Sequence, residues 1–435
     1  MSGSAGARKG RGVRRLDVTV SRLASSGVGV GHVQEAGESR AVFVPRTASG
    51  DVVSCDVDFA TRPARARVVS LLTASADRVA PACESFGTCG GCDFLHLSGE
   101  AQMRAHHARV LSALRDVKHP PPTLAPFTPS EGARTRARLH VVADKRGRIT
   151  CGFFQEGSHD VVSVRTCIAL DPALDRARAE LPALLAGAQG HGEAALALGD
   201  ARRPVLSLSW QGELPPAVFA RVESAVNEGR FAGVRLLERG AARPSIVGDP
   251  TPTTRAADGA PMALAPGGFA QATESPVLSA VVVLRAKELL AGRPATARIV
   301  ELYAGAGNFS VALAPLGALT TVEVSAEACD KARENLRARG LACDVKQGDA
   351  DSVRVPDRPD LLVLDPPRTG ARAVAESNAR GVARTILYVS CDPETLGRDL
   401  AILAQGYDVR SLDIVPCFPD TSHVEVVCAL EKKPR

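Results

Sequence analysis

Cys391 closes the apolar run "RTILYVSC" and is followed at once by the helix-like "DPETLGRDL". Most free cysteines are small buried hydrophobes, whereas a thiol at a strand end is placed for nucleophilic work. Carbon 5 of a uracil ring is a feeble nucleophile. A thiolate adding to carbon 6 turns it into an enolate carbon able to take a methyl group, and a base must then remove the carbon-5 proton so that the thiol can leave. The candidate base is Glu425 in "CFPDTSHVEVV", returned beside Cys391 by a final β-hairpin, with His423 as a neighbour able to tune the site.

A methyl donor needs its own site, and "ELYAGAGNFS" supplies the start of one. It ends a predicted strand at Leu302, and Gly305 and Gly307 let the backbone pass close to a ligand before a helix begins. Glu323 in "LTTVEVS" stands at the tip of the next strand, where a βαβ nucleoside site holds its ribose. The third glycine of a dinucleotide fingerprint and the Lys-Ser/Thr of a P-loop are both absent, so S-adenosylmethionine, which has no phosphate, fits better. Asp349 in "KQGDADS" would lie near the adenine, and Asp365 in "LLVLDPPRTG" would cap the fourth strand facing the cofactor. The "DPPR" sequence resembles the Asp/Asn-Pro-Pro-aromatic loop of amino-group methyltransferases. Arg368 replaces the aromatic residue, which weakens an adenine-N6 reading. Alternatively, the two prolines simply terminate the strand.

The cysteines carry a second signal. Cys83, Cys89 and Cys92 form C-x5-C-x2-C in "PACESFGTCGGCDFLHL", with glycines that open the loop around a bulky ligand, and Cys167 in "SVRTCIAL" is the best fourth thiolate. Three close thiolates and one remote one suit a [4Fe-4S] cluster, with tetrahedral zinc as the rival. Arg134, Arg136 and Arg138 in "RTRARLH", and the amino-terminal "MSGSAGARKGRGVRR", could neutralise RNA phosphates or simply be solvated charges.

These groups need elements to hold them. The chain has 435 residues, 45% of them hydrophobic, enough for two or three domains. A secretory apolar region is missing after the first charges, and the run "VLSAVVVL" is too short to span a bilayer, so a cytoplasmic protein without membrane contact is expected. In that compartment eleven cysteines read as ligands or catalysts rather than disulfides. Short β-like runs from Leu16 to Leu72 predict a barrel of five strands, a shape that commonly binds single-stranded nucleic acid. A mixed α+β stretch follows whose fold the pattern leaves open. Beyond Pro261 strands and helices alternate, predicting a doubly wound α/β sheet with its ligand at the carboxyl ends of the strands.

With these pieces in order, the sequence resembles the RNA uracil-5-methyltransferase family, and within it the cluster-containing ribosomal branch. The resemblance runs from "GVGVGHV...AVFVPRTASGDVV" through the four cysteines to the paired "SCDP" and "HVE". It implies a multidomain chain: a basic disordered arm (1–14), a TRAM-type, OB-like barrel (15–73), a central α+β domain binding the [4Fe-4S] cluster and RNA (74–255), and a Rossmann-like class I methyltransferase domain (256–435). It further implies that Cys391 is the nucleophile and Glu425 the base. Gln271, Tyr303, Asn308, Glu323, Asp349 and Asp365 would contact S-adenosyl-L-methionine, and Phe269, Arg134 and Arg136 would meet the RNA. Where the family usually reads Phe-Phe-Gln-Val-Asn this chain has Phe269-Ala270-Gln271-Ala272-Thr273, and its usual Tyr-Arg-Asn appears as Ala133-Arg134-Thr135. In "CGGCDFLHL", Leu95 stands where a Gln is usual. The expected activity is methylation of carbon 5 of a uridine in structured 23S ribosomal RNA by a monomer. The alternatives are the transfer-RNA member of the family and a non-catalytic cluster-bearing RNA-binding or assembly factor.

Overall fold

Strict alternation in "LDVTVSRL" turns Val18 and Val20 inward and their neighbours to solvent. In the computed structural model, which describes residues 13–24, 26–35, 37–125, 133–353 and 358–434, this pattern closes a barrel. Its strands β1 (Val13–Leu23), β2 (Gly29–Glu35), β3 (Glu38–Val44), β4 (Val52–Asp58) and β5 (Ala64–Thr73) run in the order β1-β2-β3-β5-β4. Val42, Val44, Val53, Cys55 and Val57 complete its core. The arm expected over residues 1–14 ends earlier: Arg14 and Arg15 belong to β1, held by Glu35 and Asp56 at 2.9 Å each. The rest of that arm lies outside the described residues.

The described residues group into two compact units. The first takes in the chain up to Gly87, Cys92–Ser112 and Asp420–Ser422, and so holds the barrel and most of α1 (Gly99–Ala113). The second takes in Thr88–Gly91, Ala113–Pro419 and the chain from His423. Its described residues form two large sheets and a two-stranded hairpin.

One of them is the part whose fold the sequence pattern left open. After β6 (Thr123–Leu124), the strands β7 (Arg136–Ala143), β8 (Ile149–Phe154), β9 (Val161–Val162), β10 (Gln189–Leu198), β11 (Pro204–Glu213), β12 (Gly233–Glu238) and β13 (Ser245–Gly248) form it in the order β13-β12-β11-β10-β7-β8-β9. Helices α2 (Pro172–Leu184) and α3 (Pro216–Asn227) cover one face, where Leu139, Leu181, Leu196, Leu208, Trp210 and Val222 share a core. A short hairpin of β14 (Thr253–Arg255) and β15 (Pro261–Ala263) leads onward.

The last sheet is built from α4 (Pro276–Leu289), β16 (Arg298–Leu302), α5 (Ser310–Leu313), β17 (Ala318–Glu323), α6 (Ala326–Arg337), β18 (Asp344–Gln347), β19 (Leu361–Leu364), α7 (Arg372–Asn378), β20 (Thr385–Ser390), α8 (Pro393–Leu403), β21 (Tyr407–Val415) and β22 (Glu425–Lys432). Its order is β18-β17-β16-β19-β20-β22-β21-β6, parallel from β18 to β20, with β22 inserted antiparallel beside β20. Every residue of β19 and β20 is buried, as helices on both faces of a parallel sheet require. Because β22 runs backwards, its first residue meets the last residues of β16 to β20 at one sheet edge. Among the described residues no helix is long and apolar enough to cross a membrane.

Candidate active site

Strand register brings the proposed nucleophile and base together. Ser390 pairs with Val426, the outermost pair between β20 and β22, so the next residues outward on the two strands are Cys391 and Glu425. Cys391 is half-buried and Glu425 is 1% exposed. Asp392 then caps α8, accepting from the Thr395 amide at 2.8 Å, so helix and thiol start from the same turn.

The carboxyl ends of the parallel strands carry the other expected residues to this edge. Tyr303, first after β16, sits in the left-handed region (φ 63°), a conformation costly for a residue with a Cβ, and its hydroxyl donates to Asp351 at 2.6 Å. Gly305 and Gly307 follow with φ of 56° and 89°. Glu323, at the end of β17, accepts from the amides of Gly305 at 2.9 Å and Ser325 at 2.8 Å, which ties the glycine loop to the neighbouring strand. Asp349 is exposed beyond β18, Asp365 tops β19, and Asn308 is half-buried ahead of α5. Gln271 reaches in from the preceding loop and donates through Nε2 to Glu425 Oε1 at 3.2 Å. Gln271 Oε1 and Glu425 Oε2 are buried without a hydrogen-bond partner, and such orphans are expensive unless a ligand satisfies them.

The electrostatics are those of an acid-rich pocket. Burial, then the charge of Asp365, pushes Glu425 up to about 8 against the hydrogen bond from Gln271. Desolvation pushes Asp365 up to about 7. Burial, followed by the charges of Glu425 and Asp365, pushes the Cys391 thiol up to about 12, against the opposing charge of Arg368. Arg368 is held near the mouth by His423, whose Nε2 lies 3.2 Å from its guanidinium, and the ring of His423 meets Phe418 edge-on. Glu301 was missed from sequence. It is 2% exposed on β16, receives the Ser310 hydroxyl, and is pushed up to about 8 by burial and by Asp365 and Glu323. An acid inside the apolar run "ARIVELY" was the signal that could have found it.

Two of the residues expected to meet RNA separate. Phe269 is 85% exposed. Arg136 is turned inward instead, donating to the carbonyls of Gln271 at 3.3 Å and Thr253 at 3.1 Å, and burial lowers its guanidinium pKa. It braces the Gln271 loop and is not a free phosphate contact. Arg134 donates to the Gly91 carbonyl at 2.8 Å, and Arg138 pairs with Glu193 at 2.5 Å.

The cysteines sort by burial. None is in a disulfide; Cys55, Cys151, Cys329, Cys417 and Cys428 are buried, while Cys83, Cys89, Cys92 and Cys167 are half-exposed, along with Cys343 and Cys391. Cys167 is pushed up chiefly by burial, and the charge of Cys89 adds to the shift. Among the described residues no three His, Cys, Asp or Glu side chains form a group that could hold a metal ion. A Cβ on Gly90 would lie 2.9 Å from the Phe154 carbonyl, so this glycine permits close approach to β8.

Comparison with known proteins agrees with this geometry. Residues 12–69 match the TRAM domain model, 275–385 the methyltransferase small domain model, and 358–433 the tRNA (Uracil-5-)-methyltransferase model. The chain is 34% identical over 442 residues to the 23S rRNA (uracil(1939)-C(5))-methyltransferase RlmD of Aromatoleum aromaticum, covering 95% of this chain and 99% of that one. It is 32% identical to the protein of the same name from Halomonas elongata, with 96% and 89% covered. The fold also matches the crystal structure of Pyrococcus abyssi tRNA (uracil-54, C5)-methyltransferase in complex with S-adenosyl-L-homocysteine, at a TM-score of 0.74 and 21% identity over 95% of this chain and 99% of that one.

Proposed function

The chain belongs to the RNA (uracil-5-)-methyltransferase family, and from that premise we propose that it methylates carbon 5 of a uridine in 23S ribosomal RNA. The observation that carries the reading is the register of β20 and β22, which sets a thiol and a buried carboxyl side by side at the acidic edge of the sheet. S-adenosyl-L-methionine, when bound, supplies a methyl group on a positively charged sulfur. The residues present fit it: burial holds Asp365 and Glu425 above the usual carboxylate range, so a cation beside them would favour their ionised forms, and Gln271 Oε1 is buried and unpaired. Tyr303, Asn308, Glu323, Asp349, Asp365 and Gln271 would hold it.

The target base reaches a thiol at this depth only by leaving its stack. Cys391 Sγ then bonds to carbon 6, electrons move to the carbon-4 oxygen, and carbon 5 becomes nucleophilic. After carbon 5 is methylated, Glu425 takes its proton and the carbon–sulfur bond breaks, restoring the ring and the thiolate. Phe269, exposed beside this edge, is available to stack on RNA, and Arg134 to meet it, while Arg136 serves through the Gln271 loop. The barrel would hold flanking nucleotides. The enzyme acts as a cytoplasmic monomer.

The four cysteines Cys83, Cys89, Cys92 and Cys167 are the ligands of a [4Fe-4S] cluster in this reading. The C-x5-C-x2-C spacing with Cys167 as the fourth thiolate is what supports it. Each of the four would supply one thiolate to the cluster.

The test is mass mapping of 5-methyluridine in ribosomal and transfer RNA from cells with and without the gene. Loss of one 23S methyl group is expected. Persistence of every 5-methyluridine, or loss confined to transfer RNA, would refute the ribosomal reading.

A further inference from the structure

The segment Asp365–Ala371 carries two groups of the site, Asp365 and Arg368, yet it is a loop, and something must hold it still. Three points of attachment do so. The Ala371 amide donates to Asp399 Oδ2 at 2.8 Å and to the Tyr388 hydroxyl at 3.0 Å, while that hydroxyl donates to the same Asp399 oxygen at 2.7 Å. Arg398 bridges Asp399 Oδ1 at 2.8 Å and the Thr369 carbonyl at 2.9 Å. Thr395 Oγ1 donates to the Arg368 carbonyl at 3.1 Å.

Both anchors sit on the elements that place Cys391. Tyr388 lies on β20 three residues before the thiol, and Asp399 lies on α8, the helix that starts just after it. Each is 0% exposed. A carboxylate with no access to water is costly unless its lone pairs are filled, and here the Ala371 amide, the Tyr388 hydroxyl and the Arg398 guanidinium fill them. The loop also presses hard on its anchor. Gly370 has φ of 76°, and a Cβ there would lie 2.6 Å from Asp399 Oδ2 and 2.5 Å from Arg398 Nη2. Only glycine lets the backbone come so close.

We propose that Asp399 and Tyr388 are positioning residues for methyl transfer, locking the Asp365–Arg368 loop to the strand and helix that present Cys391. The inference rests on the reading above that Cys391 is the nucleophile. Catalytic geometry is sensitive at this scale: a misplacement of about 1 Å costs on the order of 100-fold in rate.

The experiment uses a 23S rRNA transcript made with 5-fluorouridine. Fluorine cannot leave carbon 5 as a proton does, so once the methyl group has been transferred the Cys391–carbon-6 bond persists and is counted on a denaturing gel. Three proteins are compared for adduct rate, RNA affinity and melting temperature: wild type, Tyr388→Phe, which removes one hydroxyl, and Gly370→Ala, which pushes the loop off Asp399 while leaving both anchors intact. The expected result is a fall in adduct rate of about 10- to 100-fold in both variants, with RNA affinity unchanged and each protein still folded at the assay temperature. Wild-type adduct rates in folded Tyr388→Phe and Gly370→Ala would overturn the inference and leave the reading of the site standing. Absence of adduct from the wild type would overturn both.

Discussion

The final proton transfer gives the sharpest test of the site. Glu425 is buried and faces Asp365, and its carboxyl is pushed up to about 8, so at neutral pH the proposed base is mostly protonated. By the time the proton leaves carbon 5, the methyl group has moved and the sulfonium charge is gone, so the donor no longer favours the ionised carboxyl in that step. A group with pKa about 8 is roughly one-tenth ionised at pH 7 and nine-tenths at pH 9. Release of methylated RNA should therefore accelerate about tenfold between those values, with an inflection near 8. Single-turnover reactions on ordinary uridine RNA, quenched in denaturant from pH 6 to 9 and resolved by gel, report adduct and free product separately. Glu425→Gln should form the methylated adduct and release it roughly 10²- to 10⁴-fold more slowly, the usual contribution of a positioned base. A release rate flat across this range in the wild type, or a Gln variant that releases product at the wild-type rate, would refute the assignment of Glu425.

Other outcomes follow from the same structure. Cys391→Ala should abolish both adduct and 5-methyluridine while RNA affinity, measured by filter binding, stays at the wild-type value. Cys89→Ser should lose iron and the brown visible absorbance of the purified protein, and one zinc with no iron in the wild type would sink the cluster. Glu301, raised to about 8 chiefly by burial, has a folded pKa above its unfolded value, so its contribution to stability is full below about 4.5 and is lost as pH rises toward 8. Glu301→Gln should flatten the fall of melting temperature between pH 5 and pH 8, read by thermal denaturation at the two values.

The carboxy-terminal sheet was legible because its strands are short apolar runs separated by helix-period stretches, and the acids fall at the run ends: Glu323, Asp349 and Asp365 are all at the expected edge. Cys391 and Glu425 could be paired from sequence because the final hairpin, β21 and β22, returns the chain beside β20. The central sheet was not legible. Its order sets β10 (Gln189–Leu198) against β7 (Arg136–Ala143), a pairing made across a long sequence separation that no local pattern encodes. Arg136 shows a related limit: "RTRARLH" gives its charge and strand face, but only the folded Gln271 loop gives it two carbonyls to hold. Asp399 left a faint mark, an acid next to the Leu396, Leu400 and Leu403 stripe of α8. Such an acid is tolerable there only with its lone pairs filled, and its partners come from β20, the Gly370 loop and the adjacent Arg398.

The arrangement carries one further electrostatic consequence. With burial, Glu425 and Asp365 raising its pKa to about 12, Cys391 in the free protein is a thiol, not a thiolate, and attack on carbon 6 needs the thiolate. Arg368 opposes those two carboxyls and is itself exposed, so a second cation is needed to invert the balance. The sulfonium of S-adenosyl-L-methionine is such a charge, and its demethylated product has the same shape without it. Alkylation of Cys391 by iodoacetamide at pH 8 should therefore be faster at saturating S-adenosyl-L-methionine than at saturating S-adenosyl-L-homocysteine, with Cys391→Ala defining the background from the other cysteines. A drop of one pKa unit multiplies the thiolate fraction about tenfold in this range. Equal rates with the two ligands would mean that the thiol is activated by the RNA or by Arg368 alone, and the acidic pocket would then have no part in timing the attack.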